Sequence, residues 1–292
     1  MRILVLGCGY VGRRAAATWV ADGHEVFALT RSEQNAKSFL EAAIRPILGD
    51  VCDPGSLRDL PAIDLTLHSI GFDRSSGKTQ EDVTCGGLRH VLNHLPNSCG
   101  RFIQISSTSV YGQSDGEWVD ENATCEPIQP GGQLALTAEN LLHETFSARG
   151  HGRVVVLRLA GIYGPDRLLS RVNALREGLV LSGRGDSWLN LIHVDDAVTA
   201  IRAVATQELE SIHNVYNVVD DEPITRRDYF ECLARLVEAP TPRFDPAQPS
   251  ARGSGGLNKR CSNRRLREEF NWNPAYPTMG VGLPAALKAS IE

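Results

Sequence analysis

Ile3-Leu4-Val5-Leu6-Gly7-Cys8-Gly9-Tyr10-Val11-Gly12 stands at the head of the chain, an apolar run that passes directly into glycines at positions 7, 9 and 12. The run has the length of a buried strand, and the residues from Tyr10 onward carry a helical pattern. The glycines therefore sit at a strand-to-helix turn. Each has its own reason to lack a side chain. Gly7 makes the tight turn, Gly9 lets a pyrophosphate approach the backbone, and Gly12 lets the helix lie close on the strand. Tyr10 and Val11 begin that helix, whose free N–H groups and positive dipole end suit phosphates.

Outward from this turn the chain keeps a strand–helix rhythm. Strands are expected at 2–6, 25–30, 45–48, 64–68, 101–105 and 153–158, with helices between them at 10–22, 32–42, 79–95 and 134–149. Strands separated by helices imply parallel crossovers, so the fold class is α/β, a Rossmann-like doubly wound parallel sheet. Gly86-Gly87 interrupts the third helical pattern at a cost of about 1 kcal/mol each relative to alanine, which points to close packing there. Beyond 158 the rhythm changes. A helix is expected over 167–177, and another follows His193-Val194-Asp195-Asp196, with Asp195 or Asp196 as its cap. A strand follows at 215–219 and a helix over 225–237. Residues 239–256, rich in Pro, Gly, Ser and Arg, read as a long surface loop. The expected division is a dinucleotide-binding domain over 1–160, to which 193–219 return. Residues 161–292 are expected to form mostly a small α/β C-terminal lobe on the substrate side.

Composition narrows the function. Across 292 residues, 30 basic side chains face 35 acidic ones, giving a net charge of −5 without a basic stripe. This excludes a general nucleic-acid binder or a protein drawn to anionic membranes. The cysteines (8, 52, 85, 99, 125, 232 and 261) contain no C-x-x-C pair, so no metal site is expected and reduced thiols in a cytoplasmic protein are. No apolar stretch approaches the ~20 residues of a spanning helix, and no targeting segment stands out.

The end of the second strand bears on cofactor choice. Ala28-Leu29-Thr30-Arg31-Ser32 offers no carboxylate for a ribose 2′-hydroxyl, whereas Arg31 suits a 2′-phosphate, with Arg13 and Arg14 close in sequence. NADP is thus expected over NAD, unless Arg31 is only a solvated loop residue. After the third strand, Asp50 either accepts a hydrogen bond from adenine, with Val51 covering the ring, or serves as a turn or capping acid ahead of Pro54. Ser69 and Gly71 close the fourth strand, where the glycine lets the backbone approach a ribose.

Taken together, GCGYVG, GDVCDP (49–54), FIQISSTSVYG (102–112), LRLAGIYGP (157–165), LIHVDDAV (191–198) and YNVVDDEPIT (216–225) resemble the extended and atypical short-chain dehydrogenase/reductase superfamily, of the NAD-dependent epimerase/dehydratase type. The C-terminal stretch from Arg260 to Leu283 fits the small lobe of such proteins. The resemblance implies that Ser107 polarises a substrate carbonyl or hydroxyl, and that a Tyr-x-x-x-Lys pair on the fourth helix handles the proton. A tyrosine needs that neighbouring cation because its ordinary pKa is about 10. Yet the chain has no Tyr-x-x-x-Lys. Counting back from Glu139 puts Gly131 and Ala135 at the two positions. Tyr163, four residues before Arg167, and Tyr111, near Ser107, are the remaining tyrosine candidates, and packing is the other role open to each.

Two functions follow. One is an NADP-dependent oxidoreductase or epimerase/dehydratase-type enzyme with a rebuilt acid/base, acting on an unidentified small molecule. The other is a non-catalytic NADP-binding sensor or scaffold. The loops at 113–133 and 240–258 carry no sugar or diphosphate signature. Helices 79–95 and 134–149 suit a homodimer interface, as in related proteins, unless their apolar faces are used internally.

Overall fold

The structure, a computed structural model, describes residues 1–150, 152–207, 213–248 and 257–290, and for Leu169 the backbone alone. In chain order the strands are β1 (Arg2–Leu6), β2 (Glu25–Thr30), β3 (Arg45–Leu48), β4 (Leu65–His68), β5 (Arg101–Ser107), β6 (Trp118–Val119), β7 (Arg153–Leu159), β8 (Gly161–Tyr163), β9 (Val180–Ser182), β10 (Trp188–Leu189), β11 (Leu191–His193), β12 (Val215–Val218), β13 (Ile224–Thr225), β14 (Arg243–Asp245) and β15 (Arg260–Cys261). The helices are α1 (Tyr10–Ala21), α2 (Glu33–Glu41), α3 (Gly87–His94), α4 (Pro130–Arg149), α5 (Leu169–Arg176), α6 (Val194–Thr206), α7 (Arg226–Leu236), α8 (Arg264–Phe270) and α9 (Met279–Lys288).

Seven strands form one sheet in the order β12-β7-β5-β4-β1-β2-β3, with β1 parallel to β2 and β4. Strand order runs outward from β1 in both directions, which is the doubly wound Rossmann-like arrangement expected from the opening motif. β1, β2, β4 and β7 are buried along nearly their whole length rather than on alternate residues, because helices cover the sheet. Leu4, Leu6, Phe102, Leu88, Val91, Leu142 and Val156 join in one buried cluster there.

The chain separates into two compact units. The first comprises residues 1–107, 130–158 and 201–216, and the second comprises 108–129, 159–200 and 217–292. In the second, α5, α7 and α9 pack around Tyr163, Leu175, Tyr229, Leu233 and Leu283. Three asparagines stitch the segment around β15 into this unit. Asn190 bonds the backbone of Lys259 and Cys261, Asn217 bonds that of Ser262, and Asn263 reaches the carbonyl of Val219.

Several local expectations change. The helix expected over 79–95 is a π-helical turn, Asp82–Gly86, followed by α3. A Cβ on Gly87 would lie 2.7 Å from Val51 Cγ2, so the close neighbour behind this glycine is a side chain of the same unit. Helix α4 starts at Pro130, earlier than 134, because proline at the first helical position sacrifices no hydrogen bond. Asp196 does not cap α6; both its oxygens accept from the backbone N–H groups of Ala275 and Tyr276, at 2.7 and 2.9 Å. Within the expected loop at 239–256, β14 pairs parallel with β9, while 249–256 lie outside the described residues. Among the described residues no helix is long and apolar enough to cross a membrane.

Candidate functional site

The glycine turn is built in the first unit by contacts that assign its glycines two different duties. Gly7 sits at φ +86, and a Cβ there would lie 2.5 Å from the Ile70 nitrogen. On Gly12 it would run into the Gly7 carbonyl and lie 2.8 Å from Ser69 Oγ. Both positions are closed by the protein's own atoms. Ser69 completes the lock, since its Oγ donates to the Gly7 carbonyl at 2.9 Å and its N–H to the Leu6 carbonyl at 2.7 Å. Gly9 and Gly71 are the opposite case, because a Cβ on either meets nothing within 4 Å. Packing does not demand glycine at either position, and both leave the main chain open to an approaching group.

Helix α1 begins at this opening. No side chain caps it, and no acidic residue lies in its first turn. An uncapped helix start carries N–H donors and a partial positive charge suited to a phosphate. The turn thus presents open backbone, donors and positive potential together. Burial pushes the thiol of Cys8, inside it, up to about 11 despite nearby Arg13.

Around this opening the expected cofactor residues fall into place unevenly. Arg31 follows β2 with its side chain about half exposed (53%), and its Nη2 lies 3.5 Å from Asp73 Oδ2. Asp73 is held by Ser75, whose N–H and hydroxyl both donate to Oδ1 and pull its carboxyl below the usual range. Arg13 is placed on the Phe39 ring with a bond to Ser38, and Arg14 on the ring of Tyr10. Asp50 makes the turn that was one of its two readings. Its Oδ1 accepts from the Cys52 N–H at 2.9 Å, while Asp53 caps the 3-10 turn that begins at Pro54. Val51 is buried among α3 residues, which limits the surface it can offer an adenine ring.

Ser107 ends β5, partly buried. Its neighbour Ser106 donates to Glu139 Oε1, and Arg158 meets the same carboxylate, with Nη2 2.6 Å from Oε2 and Nε 3.2 Å from both oxygens. Glu139 is 2% and Arg158 5% exposed. This buried pair ties α4 to β5 and β7. The spacing from which Gly131 and Ala135 are counted picks out Glu139, but no pattern along the chain joins it to Arg158. Gly131 and Ala135, the positions where a Tyr and a Lys are expected, offer no titratable group on that helix.

The tyrosine candidates lie in the second unit, and both are sealed. Tyr111 is fully buried and donates to Asn217 Oδ1 at 2.9 Å. Tyr163 is 1% exposed, and its hydroxyl occupies the place a Cβ on Gly282 would take. Burial, together with Asp220 and Asp196, pushes its pKa upward, the wrong direction for a base at neutral pH. It ends a strand, and Asp166 at φ 67 follows in the turn, so no helical relation with Arg167 forms. The expectation of proton transfer by Tyr163 therefore gives way to a packing role. Sequence patterns also left Lys259 unmarked. It is a buried lysine whose Nζ donates to the Tyr111 carbonyl at 2.8 Å, and burial lowers its pKa. Among the described residues no group of three His, Cys, Asp or Glu side chains is placed to hold a metal ion.

Residues 3–218 match the model of the NAD dependent epimerase/dehydratase family. A 3-diazoavenalumate denitrifying reductase from a Streptomyces species is 26% identical over 309 aligned residues, covering 97% of this chain and 99% of that protein. Among solved structures, UDP-glucuronic acid 4-epimerase from Bacillus cereus, in complex with UDP-glucuronic acid and NAD, superposes with a TM-score of 0.80 at 22% identity, covering 100% of this chain and 99% of the other. UDP-glucose 4-epimerase from Thermus thermophilus, in complex with NAD, superposes with a TM-score of 0.82 at 20% identity, covering 100% of this chain and 99% of the other. At such identities the structural likeness speaks for the fold.

Proposed function

The chain belongs to the NAD dependent epimerase/dehydratase family, and from that premise we propose that its first unit holds a nicotinamide dinucleotide, NADP in preference to NAD, for redox chemistry on a small molecule. The observation that carries this reading is the open space in front of Gly9 and Gly71, beside a turn locked everywhere else. Gly9 and the start of α1 would hold the pyrophosphate, and Gly71 the nicotinamide-side ribose. Arg31 receives the 2′-phosphate, and the second oxygen of Asp50 is left for adenine. A bound nicotinamide supplies or accepts the hydride.

Ser107 hydrogen-bonds the reacting oxygen of the substrate. With Gly131 and Ala135 on α4, no side chain at those positions moves a proton, so the proton comes from water or from the substrate itself. The same two residues favour a second reading, a dinucleotide-binding sensor or scaffold that performs no turnover. Both readings share the binding step, and they part at Ser107. A titration followed by nicotinamide fluorescence tests the shared step. NADPH is expected to bind about tenfold tighter than NADH, an advantage of the size of one charge-assisted contact, and Arg31→Ala is expected to erase it. Gly9→Val is expected to abolish binding of both. Failure of the unmodified protein to bind either nucleotide removes both readings. Transfer of labelled hydride that Ser107→Ala suppresses supports the enzyme, and transfer indifferent to that change removes Ser107 from its role.

A further inference from the structure

The second unit gathers two tryptophans and an arginine from three different strands. Arg260 on β15 lies directly across from Trp118 on β6 in the parallel register, and Trp188 on β10 is brought in by Asn258, whose Oδ1 accepts from the backbone N–H of Trp188 at 2.8 Å. The guanidinium carbon of Arg260 sits 5.1 Å from each indole ring. Its Nε donates to the Gly116 carbonyl at 2.8 Å, which holds the group beside the two rings. Gly116 itself adopts φ +87, and a Cβ there would stand 3.3 Å from Trp188 Nε1, so this glycine leaves the arrangement room to close.

Among the described residues, that carbonyl is the one hydrogen-bond acceptor the Arg260 side chain has, and no carboxylate pairs with it. Two aromatic rings within cation–π distance exclude water from part of the cation and strengthen what its edge can do. The remaining N–H groups at that edge form a fork matched to an oxyanion. Beside it, Trp118 keeps 55% of its surface exposed although it is a large apolar side chain in a built cluster. The exposed indole thus stands next to a guanidinium whose fork meets one acceptor among the described residues.

We propose that Trp118, Arg260 and Trp188 form a binding site for an aromatic carboxylate, with the carboxylate on the Arg260 fork and the ring on the open face of Trp118. The ligand must carry both features. A bare anion lacks the ring, and a neutral aromatic lacks the charge.

Benzoate is the probe, observed by saturation-transfer NMR on the whole protein, with inorganic phosphate and benzamide as comparisons. Benzoate is expected to bind reversibly, and benzamide and phosphate at least about fivefold more weakly. Trp118→Ala removes an exposed ring and should leave folding intact, and Arg260→Lys keeps the charge while removing the fork. Each is expected to weaken benzoate at least about fivefold. Phosphate binding as tight as benzoate, with Trp118→Ala without effect, would reduce the site to an anion hole and overturn the proposal. Equal binding of benzamide would overturn the role of the Arg260 fork, and absence of benzoate binding would overturn the whole.

Discussion

Lys259 donates its ammonium to the carbonyl of Tyr111, 148 positions earlier in the chain, at 2.8 Å and buried from solvent. Burial penalises the charged form, so the folded lysine loses its proton more easily than the unfolded one. Between the two pKa values the unfolded chain binds more protons, and stability rises with pH toward the ordinary lysine range near about 10.4. This contribution is read as a difference in slope: chemical denaturation at alkaline pH should rise less with pH in Lys259→Met than in the unmodified protein. An unchanged pH slope in the variant would remove the burial argument.

The two duties assigned to the glycines of the turn give opposite phenotypes. Gly12→Ala drives a methyl group into the Gly7 carbonyl and Ser69, and should cost about 1–3 kcal/mol of stability or more. Gly9→Ala meets open space and should leave the melting temperature unchanged while weakening dinucleotide binding. Thermal denaturation set beside a binding titration separates the two.

Glu139→Gln leaves Arg158 buried with half its partner gone. Removing one member of a buried pair costs about 3–5 kcal/mol. The amide retains one acceptor for Ser106 and Arg158, so the lower end of that range is expected. Urea denaturation reads it.

Asp73 stands beside Arg31 in the place of a competing anion. Asp73→Asn frees the arginine and removes a like charge from an incoming phosphate. At this exposure the gain is modest, roughly two- to fivefold tighter NADPH with NADH unaltered. Parallel titrations of the two nucleotides check it, and an equal change in both would remove the link to the 2′-phosphate.

Asp220 illustrates the converse titration. Burial, then Asp221, Glu222 and Asp196, raise its carboxyl to about 8, and its Oδ2 has no partner among the described residues. The folded state therefore holds a proton that the unfolded state releases near about 4, so the contribution of Asp220 to stability is fully present below that pH and is lost as pH rises through about 8. Asp220→Asn should flatten the decline, as measured by urea denaturation across that range.

The parallel sheet was legible because apolar runs of strand length alternate with helical patterns, and the glycine turn because its spacing coincides with a strand end. The split of duties within that turn was not, since whether a glycine faces Ile70 or open space depends on the end of β4, far along the chain. Tyr163 shows the same limit. YGP near a strand end looks chemical in sequence, and only the backbone of Gly282 reveals that its hydroxyl is packed away. Asp195-Asp196 ahead of a helix reads as a cap, but the acceptors of Asp196 are claimed by Ala275 and Tyr276. Arg260 drew no attention because cation–aromatic contacts across β6, β10 and β15 have no periodicity along the chain.

The pairing of β15 with β6 has a consequence for how the polypeptide acquires its shape as it leaves the ribosome. Residues 258–262 bond back to 113–119, so the second unit cannot close until nearly the last of the described chain has been made. The first unit, by contrast, has its final segment once residue 216 is out. Long loops close slowly, because their entropy must be lost before their contacts form. The nascent protein should therefore gain its glycine turn early and hold the 108–129 segment open until residues 258–262 have emerged, which leaves that segment in need of protection while the chain is still growing.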